Sequence, residues 1–196
     1  MRPVRRRSVL ATLATGLVAG CASPRPNLYA LDVVPGVARS RGPSVILVRE
    51  MSLPKYLDRA PIVRSSANYR LDVYPNDWWG ELPGTMFTRI LAGDLALRLP
   101  RSTVLPEAVS LTVNPDLSVE VSIQRFDEDA GGTLLLAAAY ALPGPRGTPP
   151  PHDFRTIVTP AAAGAAGQVA AMSVALGRLA DAIAARIAAR PSGRRR

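Results

Sequence analysis

A single cysteine, Cys21, is present among the 196 residues. No intrachain disulfide can form, so any fold this chain adopts has to be held by a packed core alone. Upstream of that cysteine, Arg2, Arg5, Arg6 and Arg7 make a positive start, and Ser8 to Gly20 is an uncharged, mostly apolar run. A bilayer core of roughly 30 Å takes about 20 apolar residues to cross as a helix. The run is too short for that, and its length suits the apolar region of an export signal.

The run ends in Leu17-Val18-Ala19-Gly20-Cys21, which resembles the lipobox of bacterial lipoproteins. Small residues at 19 and 20 let extended backbone enter a peptidase cleft, and a thiolate is a good nucleophile for accepting a lipid. The resemblance implies a diacylglyceryl group on the Cys21 sulfur, cleavage before it, and an N-acyl chain on the new N-terminus. Arg6-Arg7-Ser8-Val9-Leu10 resembles a twin-arginine signal as well as a plain basic start, which leaves the export route open. On this reading, residues 1–20 are the signal, 21–27 an acylated tether and 28–190 one periplasmic domain, with 191–196 a basic tail.

The net charge of +9 suggests nucleic acid until it is located. Four of the 24 basic residues lie before the apolar run and three in the tail, leaving 17 against 15 acidic ones. No stripe of cations with interleaved aromatics remains, so nucleic acid is not expected as a partner.

Leu117 to Gln124 alternates without a fault, apolar at odd positions and polar at even ones. That period predicts a strand with one face on the core and the other toward water or a partner. Thr133 to Leu142 is almost wholly apolar and predicts the antiparallel neighbour, joined through an acidic, solvated tip at Asp127 to Gly132. Leu28 to Val34, Ser44 to Arg49, Ile62 to Arg64, Tyr69 to Tyr74, Thr103 to Leu105 and Phe154 to Thr159 read as further strands. The third and fourth of these form a hairpin through Ser65 to Asn68. Two helices complete the set. One starts at Pro83, carries Phe87, Ile90, Leu91, Leu95 and Leu99 on one face, and stops at Pro100. The other runs from Gly164 to Arg190 with Val169, Met172, Leu176, Leu179, Ile183 and Ile187 as its buried stripe. The fold class is α+β, a single domain with a mostly antiparallel sheet and two main helices packed against it.

Leu53-Pro54-Lys55-Tyr56-Leu57-Asp58-Arg59-Ala60-Pro61-Ile62-Val63 resembles the signature of the PqiC (YmbA-type) auxiliary lipoproteins. Tyr29-Ala30-Leu31-Asp32 resembles their Tyr-x-Leu-Asp element, and Trp78-Trp79-Gly80-Glu81-Leu82 the tryptophan and acidic element before their first helix. Ala60-Pro61 departs from the family's proline followed by a polar residue. The resemblance implies a lipid-anchored auxiliary subunit of an intermembrane lipid-transport system. Its expected partners are a mammalian-cell-entry (MCE) domain protein, inner-membrane transporter subunits and further copies of itself. Ala22 and Ser23 follow the cysteine where an inner-membrane retention signal has aspartate, so the outer membrane is the expected address and the inner membrane the runner-up.

Chemistry-bearing patterns are missing. His152, the one histidine, sits among prolines beside Asp153 with no serine scaffold, and reads as a surface residue. Asp127-Glu128-Asp129 lacks the spacing of a calcium loop. With no nucleotide loop or metal spacing, the expectation is neither an enzyme nor a metal or cofactor protein. Candidate partner-binding residues are Tyr56, Arg59, Trp78 and Trp79; aromatic side chains often anchor interface centres, and core filling is the equal alternative for Tyr56, Trp78 and Trp79. Adjacent tryptophans point to different sides, so at least one of the two is expected outside the core. The competing reading is a solitary periplasmic substrate-binding or envelope-assembly lipoprotein on a similar fold.

Overall fold

The computed structural model describes residues 25–107, 114–145, 147 and 149–190. The lipobox, the twin-arginine stretch and the basic tail lie outside the described residues. Among the described residues there are eight strands and two helices. In chain order these are β1 (Asn27–Tyr29), β2 (Val45–Val48), β3 (Pro61–Ser65), β4 (Asp72–Trp79), α1 (Pro83–Arg98), β5 (Thr103–Pro106), β6 (Leu117–Glu128), β7 (Leu134–Ala141), β8 (His152–Val158) and α2 (Ala165–Ala189).

β6 organises the sheet. One of its edges is shared end to end by two parallel neighbours, β2 beside Leu117 to Val119 and β3 beside Glu128. The other edge pairs along its length with antiparallel β7, which in turn pairs with β8. Beyond β3 lie antiparallel β4 and then parallel β1, and beyond β2 lies parallel β5. The two longest ladders, β6–β7 and β7–β8, are antiparallel, and the sheet as a whole is mixed. The single α+β domain expected from the sequence is the one observed.

Both helices lie on one face of this sheet. Odd-numbered Val119, Val121 and Ile123 are buried beneath them, while Glu120, Ser122 and Gln124 are exposed on the other, open face. A bulge between Ile123 and Arg125 then shifts the phase by one. Phe126 therefore joins the helix side, its ring 5.4 Å from that of Phe87, and Asp127 turns to the open face. The expected helical stripes are all buried, Leu91, Leu95, Leu176, Leu179 and Ile183 completely. α2 is long and apolar enough to span a bilayer by composition, but two thirds of its most apolar window is buried in the domain. It is used as a core helix.

Several boundaries move. Pairing ends β1 at Tyr29; Leu31 is buried outside any strand, its N–H on the Met86 sulfur at 3.4 Å. The β3–β4 connection reaches Leu71 because Asn68 and Tyr69 take φ of 56° and 59°, which turns the chain early. The acidic tip is only partly solvated. β6 continues to Glu128, Asp127 is fully buried, and Glu128 is nearly so. Asp129 alone turns the chain, accepting the N–H of Gly131 and of Thr133. His152 is the first residue of β8, half-buried with its ring 5.4 Å from that of Tyr140.

A buried polar joint lies between the helices. Arg98, 1% exposed, donates from Nε to Asp181 at 2.7 Å and from a terminal nitrogen to the carbonyls of Val34 and Asp94. Asp94, wholly buried, accepts the Val34 N–H at 2.8 Å. Gly36 and Gly177 leave room for the guanidinium, since a Cβ at Gly36 would collide with it. The loop after β1 is thus tied to both helices by one side chain.

Candidate partner-docking surface

Residues 53–60 bridge the gap that β2 and β3 leave along β6, and this explains the motif. Ser52 pairs with Ser122, and Leu57 is buried. Pro54 accepts the Leu57 N–H at 2.9 Å, closing a turn that its own missing N–H does not disturb. Tyr56, half-buried, lays its hydroxyl against Asp127 and Ser66. Burial above all, then the Asp127 charge, pushes that phenol up to about 12, so it stays protonated and donates. Asp127 also accepts from Ser66 Oγ at 2.5 Å and from Arg125 Nε at 2.7 Å, which satisfies a carboxylate that burial would otherwise penalise. Lys55, Asp58 and Arg59 are left exposed.

The four residues expected to bind a partner are thereby sorted. Trp79 is core, 7% exposed, with its ring edge-on to Phe87 at 5.9 Å. Tyr56 is a locking residue. Arg59 is exposed in the turn that leads into β3, and Trp78, 38% exposed, pairs with Pro61 at the start of that strand, while the Trp79 N–H reaches the Ala60 carbonyl. The adjacent tryptophans do face opposite ways.

The open face supplies a feature that the sequence did not single out as a site. A groove of about 670 Å³ runs over β6 and β7, with Glu120, Ser122, Ala139 and Ala141 in its floor and Ser52 and Pro149 on its sides. Its floor follows from register, Glu120 opposite Ala141 and Ser122 opposite Ala139. Alternation in β6 was the available signal for an outward face. That small alanines across the ladder would turn it into a groove depends on pairing. Arg49 and Glu50 also line it; Arg49 is paired with Glu107, and a Glu50 carboxylate oxygen is turned toward Gly84 at the start of α1. The Glu50 N–H and Arg49 hold the Glu107 carboxyl below its ordinary range. Glu120 places one carboxylate in the groove floor.

No curated protein matches the chain significantly. Among solved structures, an uncharacterised protein superposes with a TM-score of 0.70 at 16% identity, over 84% of this chain and 99% of that one. A Xanthomonas campestris protein of the DUF330 family gives 0.65 at 16% identity, over 80% and 92%. At such identities the likeness concerns the fold. PelC from Paraburkholderia phytofirmans, a dodecamer, reaches 0.43 at 13% identity over 74% and 90%, too low to bear on assembly. The sequence itself matches a family model over residues 29–184, and the chain belongs to that family, the ABC-type transport auxiliary lipoprotein components.

Proposed function

We propose that this chain is a non-catalytic, lipid-anchored docking subunit of an MCE-type intermembrane lipid-transport system, moored through Cys21 to the periplasmic face of the outer membrane. Family membership makes it an auxiliary lipoprotein of a transport system, hence membrane-associated and built to work with partners. The observation that carries the docking reading is the groove on the open face of β6 and β7. Both helices pack on the other face, so a strand-lined surface of small side chains is left for an extended segment of the MCE partner. Glu120 in the floor favours a segment carrying a basic residue.

Two further observations support the reading. Tyr56 and Asp94, both displaced well upward in pKa, are committed to buried structural contacts rather than aimed into the groove. Such displaced groups are where a catalyst would keep its acid or base. Ala22 and Ser23 after the cysteine favour the outer membrane. Acyl burial contributes about 0.8 kcal/mol per CH₂, so three chains exceed what stable anchoring takes.

The test is capture of the MCE protein from native membranes by Ala139→Arg. A long cation rising from the groove floor should cut capture at least about tenfold, which corresponds to ~1.4 kcal/mol. The melting temperature should stay near the parent's, because Ala139 is only partly buried. Equal capture by variant and parent refutes the groove as the docking site.

A further inference from the structure

The edge of the sheet formed by β1 and the end of β4 has exposed apolar residues that neither the core nor the groove explains. Leu28, 67% exposed, and Trp78, 38% exposed, are register partners in the parallel β1–β4 ladder. Pro61 is opposite Trp78 on the other side. The three side chains therefore share one face of three neighbouring strands. Tyr29 and Trp79 take the opposite face, and Trp79 is in the core. Among the described residues β1 has no strand beyond it, so Leu28 stands at a sheet edge, where an exposed apolar residue invites unwanted pairing unless something covers it.

We propose that the bilayer covers it: this edge is a membrane-contacting surface, with the Trp78 ring and the Leu28 side chain seated at the headgroup–acyl boundary. The proposal rests on the lipid anchor at Cys21 and names what the anchored domain then touches. Chain length is the argument. Cys21 to Asn27 is six residue steps, which fully extended span about 20 Å. A domain of this size is roughly 40 Å across, from the scaling of radius of gyration with length. The acylated residue therefore cannot hold the bilayer on the far side of the domain. Whatever face the protein turns to the membrane has to lie within about 20 Å of the start of β1, and the Leu28–Trp78 edge is the exposed apolar surface at that start.

That start is fixed in place. Asn27 Nδ2 donates to Asp77 at 2.8 Å, and Asn76 Nδ2 reaches the Arg25 carbonyl at 3.5 Å. The Asn27 contact occupies the Asp77 carboxylate, and Arg25 is exposed near it in the chain, a cation suited to anionic headgroups. Tryptophan is the side chain that favours this depth, because its ring is apolar and its indole N–H still meets water or phosphate.

The chain has only two tryptophans, which makes the contact measurable. Full-length acylated protein is reconstituted into phosphatidylethanolamine and phosphatidylglycerol vesicles, with and without bromine on the acyl chains. In Trp79→Phe, whose remaining fluorophore is Trp78, brominated lipid should lower emission about twofold, because an interfacial group lies roughly 5–10 Å into the headgroup–acyl boundary. Iodide in the water should quench it poorly. In Trp78→Phe, a change at an exposed position, the bromine-sensitive component should vanish and Trp79 should stay shielded from both quenchers. This second variant keeps the test decisive if replacing the core Trp79 harms folding. Leu28→Glu should reduce the bromine effect in the parent. If the protein floats with the vesicles and Trp78 is quenched by iodide but not by bromine, the contact is wrong and the anchor stands. A chain that does not float overturns anchor and contact together. Shielding of Trp78 that appears only when the transporter partner is added assigns this edge to a protein, and the bilayer proposal fails.

Discussion

Arg98 and Asp94 sit four residues apart in α1, inside the stripe that also carries Leu91, Leu95 and Leu99. A reading by apolar period passes over them, yet their spacing places both under the second helix. Removing one partner of a buried ion pair leaves the other charge without compensation, which typically costs about 3–5 kcal/mol. Arg98→Ala is expected to lose that much at neutral pH in a urea titration, and a loss below about 1 kcal/mol contradicts the role given to the joint. Asp94 supplies a pH dependence. Burial pushes its carboxyl up from 3.8 to about 6, against the pull of the Val34 N–H and Arg98 and with the charges of Asp181 and Asp32 adding to the rise. The folded state thus holds this proton more tightly than the unfolded chain does. The stability it contributes is full below the ordinary carboxylate value and is lost as pH rises through about 6. Over that window the loss is of order 3 kcal/mol. Asp94→Asn cannot ionise, so its urea midpoint should decline less than the parent's between pH 4 and pH 7; parallel declines refute the assignment.

The elements differ in how far their own sequence specifies them. β6 is legible through Ile123 because alternation alone fixes which face is buried. It stops being legible at Gln124 and Arg125, where the bulge shifts the phase and sends Asp127 to the open face under Tyr56. No local pattern announces that shift. It follows from β2 and β3 sharing one edge of β6 with residues 53–60 between them. α2 is legible along its stripe, but its start depends on packing. Gly164 caps it at φ 88°, and a Cβ on Gly167 would run into the Ala162 carbonyl oxygen. Glycine to alanine inside a helix ordinarily gains about 1 kcal/mol. Gly167→Ala should reverse that sign, because the backbone it meets cannot move aside as a side chain would, and should lower the melting temperature. A raised melting temperature contradicts the close approach.

Across the whole molecule, the two proposed contacts fall on different parts of the sheet. The bilayer edge is β1 with the end of β4; the groove lies over β6 and β7, with β3 between them in strand order. Separate sites predict separate losses. Leu28→Glu should weaken membrane contact and leave capture of the MCE partner unchanged, Ala139→Arg should do the opposite, and the double variant should show both effects at their single-variant size. Loss of partner capture by Leu28→Glu alone indicates one continuous surface and refutes the separation. The candidate partner residues divide the same way. Trp78 goes to the proposed membrane edge, Arg59 to the exposed turn that leads into β3, and Tyr56 and Trp79 inward.

What the sequence determined by itself was whatever follows from spacing along one chain. The 3.6-residue stripes of the two helices, the two-residue alternation of β6, the proline at the first turn of α1 and the opposite facing of two adjacent tryptophans all belong there. Tertiary structure alone decided what depends on distant segments meeting. Pairing of β2 and β3 along β6 explains why the Tyr56 motif takes its turn. Register across β6 and β7 placed alanines beside Glu120 and Ser122 and opened the groove. Helix packing buried Arg98 against Asp181, 83 residues away. Local periodicity reports which side of an element seeks the core, whereas a site needs the particular partner that folding brings to the other side.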